Sequence, residues 1–593
     1  MKKQTIQTLL ILIGLAGLIY LGLSLGRATQ GLNPVTVTPT PTAIPVSQTP
    51  SPNPEPQTIL DDLRVRQAIA YCTDRGSLIH TVYPWLEDTK PFEMDSFLPS
   101  NHPFYAGNDP QFQRYPYDPE KGRALLESAG WRLPAGVSYR VNAKGEELHL
   151  TLTTTAADFR KTWAAVFIEQ MKTCGLRVDA SHFPADQFYS EEGALVQRDF
   201  ELAALAWIAP ADANVRWRYA CDGIPSAINE FTGENYAGWC NPIADQAIKQ
   251  AEENLKREAL KDASRVVQLE YARDLPGLPL FQRMDISATA ADMQNFISLP
   301  TEVYTWNAAE WVIPGKDSIV IGERSEPAGL HPLDDSWVNA TVRALINGLD
   351  YVQRDYEYQP ITLKRFPTLE NGGATINESG QLIVTYEFIE GLTWSDGAPV
   401  SRADYQLAYT ALCDPEAAGE FLYISQRCDQ IARVDFIRDN AYTVTYIPGY
   451  HDPEYFLPPI GRQPAHRLTE DGRRLGDVPA KYWTWLAEVN NNPIGIGPYV
   501  LQSWEYGEQM VFTANPYYFG KPPATPTIII RFIPQDEIVS YLLRGEIDVA
   551  DSSSLWIGTS NSALLQAQSD GKVRLYFVPN SIYEQLDFRL TVK

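Results

Sequence analysis

No stretch of the 593-residue chain spells out a nucleophile, a metal cage or a phosphate loop. It has no His-Glu-x-x-His, no Cys-x-x-Cys and no Walker-type glycine loop. Seven histidines, at positions 80, 102, 149, 182, 331, 451 and 466, are scattered, and no metal is expected. One Gly-x-Ser-x-Gly, Gly22-Leu-Ser24-Leu-Gly26, falls inside an apolar run where a hydrolase elbow has no place. Gly495-Ile-Gly497-Pro-Tyr499 lacks a third glycine and a lysine and reads as a tight turn entering a strand. Acidic residues are plentiful, but no spacing selects a catalytic pair, so a hydrolase with paired carboxylates is left without a positioned nucleophile. No catalytic residue and no cofactor is expected, and a solvated acidic surface accounts for most of the carboxylates. Cysteines are the other reactive set. Cys221 and Cys240 lie 19 residues apart around a Gly- and Asn-rich loop, and Cys413 and Cys428 lie 15 apart. Closing such loops contributes about 3 kcal/mol each. Two local disulfides are expected, with four buried thiols as the alternative. Cys72 and Cys174 fall on apolar helix faces and read as core thiols.

Composition narrows the partners. Seventy-three acidic against 49 basic residues leave a net charge of −24, which repels phosphate backbones and argues against nucleic acid. With 44% hydrophobic and 21% charged residues the bulk is globular. At roughly 100–200 residues per domain, three or four packed units, or one large multi-lobed body, are expected. Fourteen Trp and 31 Tyr suit flat, amphipathic ligand contacts, although most such rings belong to cores.

The first residues suggest an address. Lys2 and Lys3 precede an apolar run over residues 6–25, enough helix to cross a bilayer core of about 30 Å. The basic flank places the remainder outside the cytoplasm. Residues 1–27 therefore read as a membrane anchor. The alternative is a cleavable signal cut near Ser24-Leu25-Gly26, with the mature protein secreted. Lipid anchoring is excluded because the first cysteine is Cys72. Residues 28–56 form a Pro/Thr-rich linker. Eight prolines lie between positions 34 and 56, and Glu55 is the only charge there, which predicts an extended stalk. Outside the cell, disulfides persist.

The elements that follow read as mixed α and β. A helix begins near Asp62, and Asp118-Pro119 opens another that ends at Ala129-Gly130. Leu148, Leu150 and Leu152 alternate as a strand. A helix over residues 158–174 and a strand from Leu176 complete a strand–helix–strand unit and predict a parallel sheet. Asn241-Pro242 starts a capped helix, and residues 257–271 form a further one. Later strands are expected at 319–321, 382–388, 442–446, 528–532 and 573–578.

Seven segments resemble the family 5 extracellular solute-binding proteins of ABC importers, the oligopeptide- and dipeptide-binding type. Residues 61–75, Asp-Asp-Leu-Arg-Val-Arg-Gln-Ala-Ile-Ala-Tyr-Cys-Thr-Asp-Arg, are similar to that family's D-x-R-V-R-Q-A-I helix. Residues 117–130 resemble its Y-D-P-E-K helix, and residues 235–245 its N-x-x-G-Y-x-N-P segment. Residues 388–400 match a D-G-x-P turn, 492–499 a G-T-G-P-Y turn, 515–518 an N-P-x-Y segment, and 543–548 an L-x-x-G-E-I-D segment. The order is inverted: in the family the last four precede the first three. A circular permutation is the simplest account, and a gene fusion or truncation whose halves do not reunite is the rival.

The resemblance implies an α/β, two-lobed, periplasmic-binding-protein-like clamshell with an extra domain, in permuted order behind the anchor and stalk. One ligand-binding lobe is expected at 57–285 and the other at 286–350 with 493–593. The extra domain falls at 351–492. It further implies an extracytoplasmic receptor that binds peptides between its lobes and docks on ABC permease subunits. An oligosaccharide receptor of the same family, or a ligand-sensing ectodomain without transport, is the alternative. Site residues carry over thinly. Asp212, in Trp207-Ile-Ala-Pro-Ala-Asp212, is the candidate partner of a peptide's α-ammonium, and Trp207 a cleft wall. Glu326 lies in the strand end that lines the cleft, Asn347 in a turn, and Tyr499 in the Gly-Pro-Tyr segment.

Overall fold

The computed structural model describes residues 57–299, 301–332, 334, 336–414, 416, 428–555 and 561–592. The anchor and linker expected over residues 1–56 lie outside the described residues. No helix among the described ones is long and apolar enough to cross a membrane.

The helices start where the caps are. Asp62 accepts the Arg64 N–H at 2.9 Å and opens α1 (Leu63–Cys72), and α2 (Arg75–Val82) follows Asp74. Asp118 caps α3 (Pro119–Ser128), with proline at the first helical position and Gly130 beyond the end at φ +92°. β1 (His149–Thr155) leads into α4 (Asp158–Thr173), and β2 (Arg177–Phe183) returns parallel to β1, His149 opposite Arg177 through Thr155 opposite Phe183. The expected strand–helix–strand unit is present.

The remaining strands are β3 (Leu202–Ile208), β4 (Gly277–Ala290), β5 (Ser318–Glu323), β6 (Tyr351–Arg354), β7 (Glu357–Pro360), β8 (Ala374–Ile376), β9 (Gln381–Glu387) and β10 (Ile431–Arg438). They are followed by β11 (Ala441–Pro448), β12 (Tyr499–Glu505), β13 (Gln509–Ala514), β14 (Thr527–Phe532), β15 (Val549–Ala550) and β16 (Val573–Phe588). Ten strands form one sheet in the order β12-β13-β14-β5-β15-β4-β16-β3-β1-β2. A smaller sheet runs β10-β11-β9-β8, and β6 and β7 form a hairpin. Strands from the two ends of the chain therefore meet at the centre of the large sheet. β16 lies antiparallel between β4 and β3, and its register breaks between Pro579 and Tyr583.

Polar contacts seal this junction. Glu584 on β16 is fully buried and accepts from Arg160 Nε at 2.9 Å and Arg283 Nη2 at 2.7 Å. Arg160 belongs to α4 and Arg283 to β4. At the far end of β16, the Thr591 N–H and hydroxyl donate to the Asp61 carboxylate at 2.9 and 2.7 Å, just ahead of α1. Around the large sheet, Ile69, Phe167, Leu280 and Leu586 share one core, and Trp311, Ile321, Leu345 and Ile530 share another at the β5–β14 side. Val384, Tyr386, Trp394 and Tyr442 form the core of the smaller sheet.

Cys221–Cys240 and Cys413–Cys428 are disulfides. Cys72 and Cys174 are a disulfide too, which corrects the reading of both as core thiols. The end of α1 and the residue following α4 pack into the same core, so two apolar-face cysteines 102 residues apart meet there.

The hairpin is anchored at its base. Gln353 donates its N–H to Glu302 at 2.5 Å and accepts the Thr301 hydroxyl at 2.8 Å. Burial pushes the Glu302 carboxyl up to about 7, against the opposing pull of the Gln353 N–H. Below the ordinary value of 4.5 the group is protonated whether the chain is folded or not. Between 4.5 and about 7 the folded chain holds the proton more tightly, so stability falls as pH rises through that window. Glu302→Gln is expected to flatten this fall, seen as a smaller difference between urea midpoints at about pH 5 and about pH 8.

Candidate functional site

β3 lies beside β16 in the large sheet, and the chain leaves its C-terminal end through Ala209-Pro210-Ala211-Asp212. The Ala209 N–H donates to Ser581 O at 2.9 Å, pinning this loop to the register break of β16. His102 Nε2 lies 3.1 Å from Pro210 O. Ala213 turns the chain sharply at φ +56°, and its N–H returns to Pro210 O at 3.1 Å. The Asp212 carboxylate then accepts the Asn214 N–H at 2.9 Å, which fixes its direction.

Asp212 lines a cavity of about 420 Å³. One wall is apolar: Ile248 from the helix Pro242–Glu252, and Leu260 and Val267 from the helix Arg257–Asp274. The opposite wall is the loop after β11, where Tyr450 stacks on Tyr446 with centroids 3.9 Å apart and Asp452 follows. A concave volume with one apolar wall and a few convergent polar groups has the form of a small-ligand site.

Its charge is one-sided. Among the described residues no Lys or Arg pairs with Asp212. Burial pushes its carboxyl above the usual range; the Asn214 N–H draws it back, and neighbouring Asp452 adds to the rise. Glu252, also on the cavity wall, is paired with Arg216 at 3.2 Å. What the arrangement lacks, and could take up, is a cation.

A second acidic group sits at the strand ends of the β5 side. Glu323 accepts the Ser554 hydroxyl at 3.2 Å and a hydrogen bond from Tyr304, Asp551 accepts the Ser553 hydroxyl at 2.6 Å, and Asp285 accepts Asn580 Nδ2 at 2.9 Å. Burial raises all three carboxyls, and hydroxyl and amide donors satisfy them.

Of the residues singled out from sequence, only Asp212 reaches the cavity. Trp207 is buried, stacked at 5.9 Å on Tyr236, with the Arg218 guanidinium 4.7 Å from its ring. Tyr499 is fully buried and donates to Thr525 O at 3.0 Å. Glu326 accepts Trp504 Nε1 at 2.7 Å and the Gly507 N–H at 3.1 Å, holding the β12–β13 turn. Asn347 ends the helix Trp337–Asn347, against which Gly497 packs, its N–H donating to Ile346 O at 2.7 Å. That close approach accounts for the glycines of the Gly-x-Gly-Pro-Tyr segment. Sequence reasoning missed Tyr450 and Asp452. Their signal was a turn rich in Gly, Tyr, His, Asp and Pro directly after a strand.

The model of the bacterial extracellular solute-binding proteins, family 5 Middle, matches residues 29–223 and 376–593. Protein XP55 of Streptomyces lividans is 29% identical over 238 residues, 40% of this chain and 39% of that protein. Di/tripeptide-binding protein 2 of Pseudomonas aeruginosa (strain UCBPP-PA14) is 24% identical over 253 residues, 40% of this chain and 41% of that protein. The chain thus spans about two fifths of the length of these curated relatives. A solved structure of an oligopeptide binding protein from Thermus thermophilus complexed with pentapeptide aligns at TM-score 0.36 and 18% identity, over 43% of this chain and 48% of that one. The two matched segments together exceed half of the chain, which therefore belongs to the family 5 bacterial extracellular solute-binding proteins, a family of binding proteins and not of enzymes.

Proposed function

We propose that this protein is an extracytoplasmic peptide receptor of an ABC importer, holding the ligand's α-ammonium at Asp212. The observation that carries the reading is a carboxylate with no basic partner among the described residues, facing a cavity of about 420 Å³. A half-buried anion without a counter-ion carries a desolvation cost, and a ligand ammonium supplies that counter-ion together with charge-assisted hydrogen bonds. The volume lies within the usual range for small-molecule sites and suits a short peptide or the end of a longer one. Family membership supports the transport role, and a relative named as a di/tripeptide-binding protein supports the ligand class.

In this reading the two sequence blocks are a circularly permuted receptor. The hydrogen bonds from Thr591 to Asp61, and the seating of β16 between β3 and β4, support it, because they bring the last block against the first. Residues 57–285 are one lobe, 286–350 with 493–593 the other, and 351–492 the extra domain, with the apolar segment near the N-terminus holding the receptor at the membrane.

Thermal unfolding with pools of di- to pentapeptides tests the function. Free-amine peptides are expected to raise the unfolding temperature, and the same pools N-acetylated to leave it unchanged. Equal shifts with both pools, or none with either, would remove the basis for the assignment. Co-purification with permease subunits separates a transport receptor from a sensing ectodomain.

A further inference from the structure

The hairpin of β6 and β7 has a turn that its residues resist. Tyr351 pairs with Pro360 and Arg354 with Glu357, which leaves Asp355 and Tyr356 as a two-residue turn at φ +49° and +63°. Two left-handed positions in succession are ordinarily filled by Asn-Gly, because a side chain with a Cβ is strained there. A tyrosine at the second position calls for a compensating contact.

Tyr356 makes one. It is 1% exposed and packs in a core formed otherwise by residues 94–271 and Tyr583, with its ring centroid 4.8 Å from that of His102. Beside it, Asn101 Nδ2 donates to Asp355 Oδ1 at 3.2 Å. At the other end, the hairpin base is tied to Thr301 and Glu302, next to Tyr304 in the core of the β5–β14 side. A single short hairpin therefore bridges two cores. It also borders the segments that lead into the candidate site: its neighbour His102 contacts Pro210 O, two residues before Asp212, and the Tyr358 hydroxyl donates to Glu454, just past the cavity-lining Asp452 and Pro453.

Opposing contributions meet in this docking. Ring burial favours it. The left-handed tyrosine opposes it, and so does the Tyr356 hydroxyl, which is buried without a hydrogen-bond partner among the described residues.

The geometry points to a strap: the β6–β7 hairpin holds the two sides of the large sheet together, and its tip, through His102, keeps the Pro210–Asp212 loop in place beside the cavity. The role given to Asp212 rests on the peptide reading; the strap itself does not.

The test compares two hairpin variants of the ligand-free protein. Asp355→Asn with Tyr356→Gly installs a relaxed turn and removes the plug while leaving the hairpin able to form. Amide hydrogen exchange over residues 207–215 is expected to quicken at least tenfold. The distance distribution between spin labels on Glu253→Cys and Ser379→Cys, both exposed positions, is expected to broaden toward longer values. Tyr356→Phe keeps the ring, loses the unpaired hydroxyl and is expected to slow the same exchange. Unchanged exchange and distances in the first variant, at unchanged global stability, would overturn the strap, as would faster exchange in Tyr356→Phe. Both readouts need no ligand, so they fail independently of the peptide reading, which fails instead when no peptide stabilises the unaltered protein.

Discussion

Arg160→Ala should lower the unfolding free energy by about 3 kcal/mol or more, because it leaves Glu584 buried with one of its two guanidinium partners missing. Arg160 is itself buried, at 3% exposure, and also donates to the Thr155 hydroxyl at 2.8 Å, so the lost contacts are not replaced by water. Arg283 remains at 2.7 Å but is partly solvated, which keeps the loss toward the lower end of the range for a broken buried pair. Substituting both partners, Arg160→Met with Glu584→Leu, is expected to recover a large part of the loss, since no buried anion is then left behind; a double-mutant cycle from urea denaturation measures the coupling. The pH dependence has a definite sign. Burial alone would raise the Glu584 carboxyl, but Arg160 and Arg283 outweigh it and hold the group at about 2, below its ordinary 4.5. The contribution is complete above 4.5 and is lost as pH falls from there toward 2. In Arg160→Ala that part of the acid-unfolding profile should shrink. The location gives the result a wider meaning: Glu584 comes from the last strand and both arginines from the first 283 residues, so the measured coupling reports directly on how firmly the two sequence blocks are joined.

Local signals in the sequence were read most securely. Asp62, Asp118-Pro119 and Asn241-Pro242 each open a helix, because a short polar side chain that satisfies the first N–H groups leaves the same mark in any fold. Alternating leucines gave β1, and loop length gave Cys221–Cys240 and Cys413–Cys428. Long-range partners were hidden. Only residues 573–578 of β16 read as a strand, since Pro579, Asn580 and Ser581 imitate a turn where the sheet carries its register break, and Glu584 and Asp587 look like surface residues until their neighbours are known. Cys72 and Cys174 announce apolar faces but not that those faces meet. Asp212, singled out through its motif, lines the cavity. Trp207 and Tyr499 resembled ligand-facing rings because an aromatic in a core and one on a cleft wall have the same sequence signature, and packing alone tells them apart. Asp452 contributes to the cavity from a separate element, beyond the reach of any local pattern.

Asp212→Asn should abolish peptide-induced stabilisation and at the same time make the ligand-free protein slightly more stable. The two effects have one cause. Without ligand Asp212 is a partly desolvated carboxylate near Asp452 with no basic partner among the described residues, and burial, which raises its carboxyl, disfavours the ionised form. Asparagine keeps the shape and can still accept the Asn214 N–H through its carbonyl, while removing the charge. A gain of about 0.5–1 kcal/mol in the unliganded state is the expected order. With a free-amine peptide the balance reverses. A hydrogen bond between charged groups is worth about 1.5–3 kcal/mol, so affinity should fall roughly 10- to 150-fold, enough to erase a thermal shift measured near the original dissociation constant. Isothermal titration and unfolding of the same preparation separate the terms. If Asp212 only braced its loop, Asp212→Asn would weaken the ligand-free protein or leave it unchanged, and any loss of binding would follow the loss of structure. Opposite signs for stability and affinity are what a carboxylate held ready for a cation produces, and equal signs would remove it from the ligand contacts.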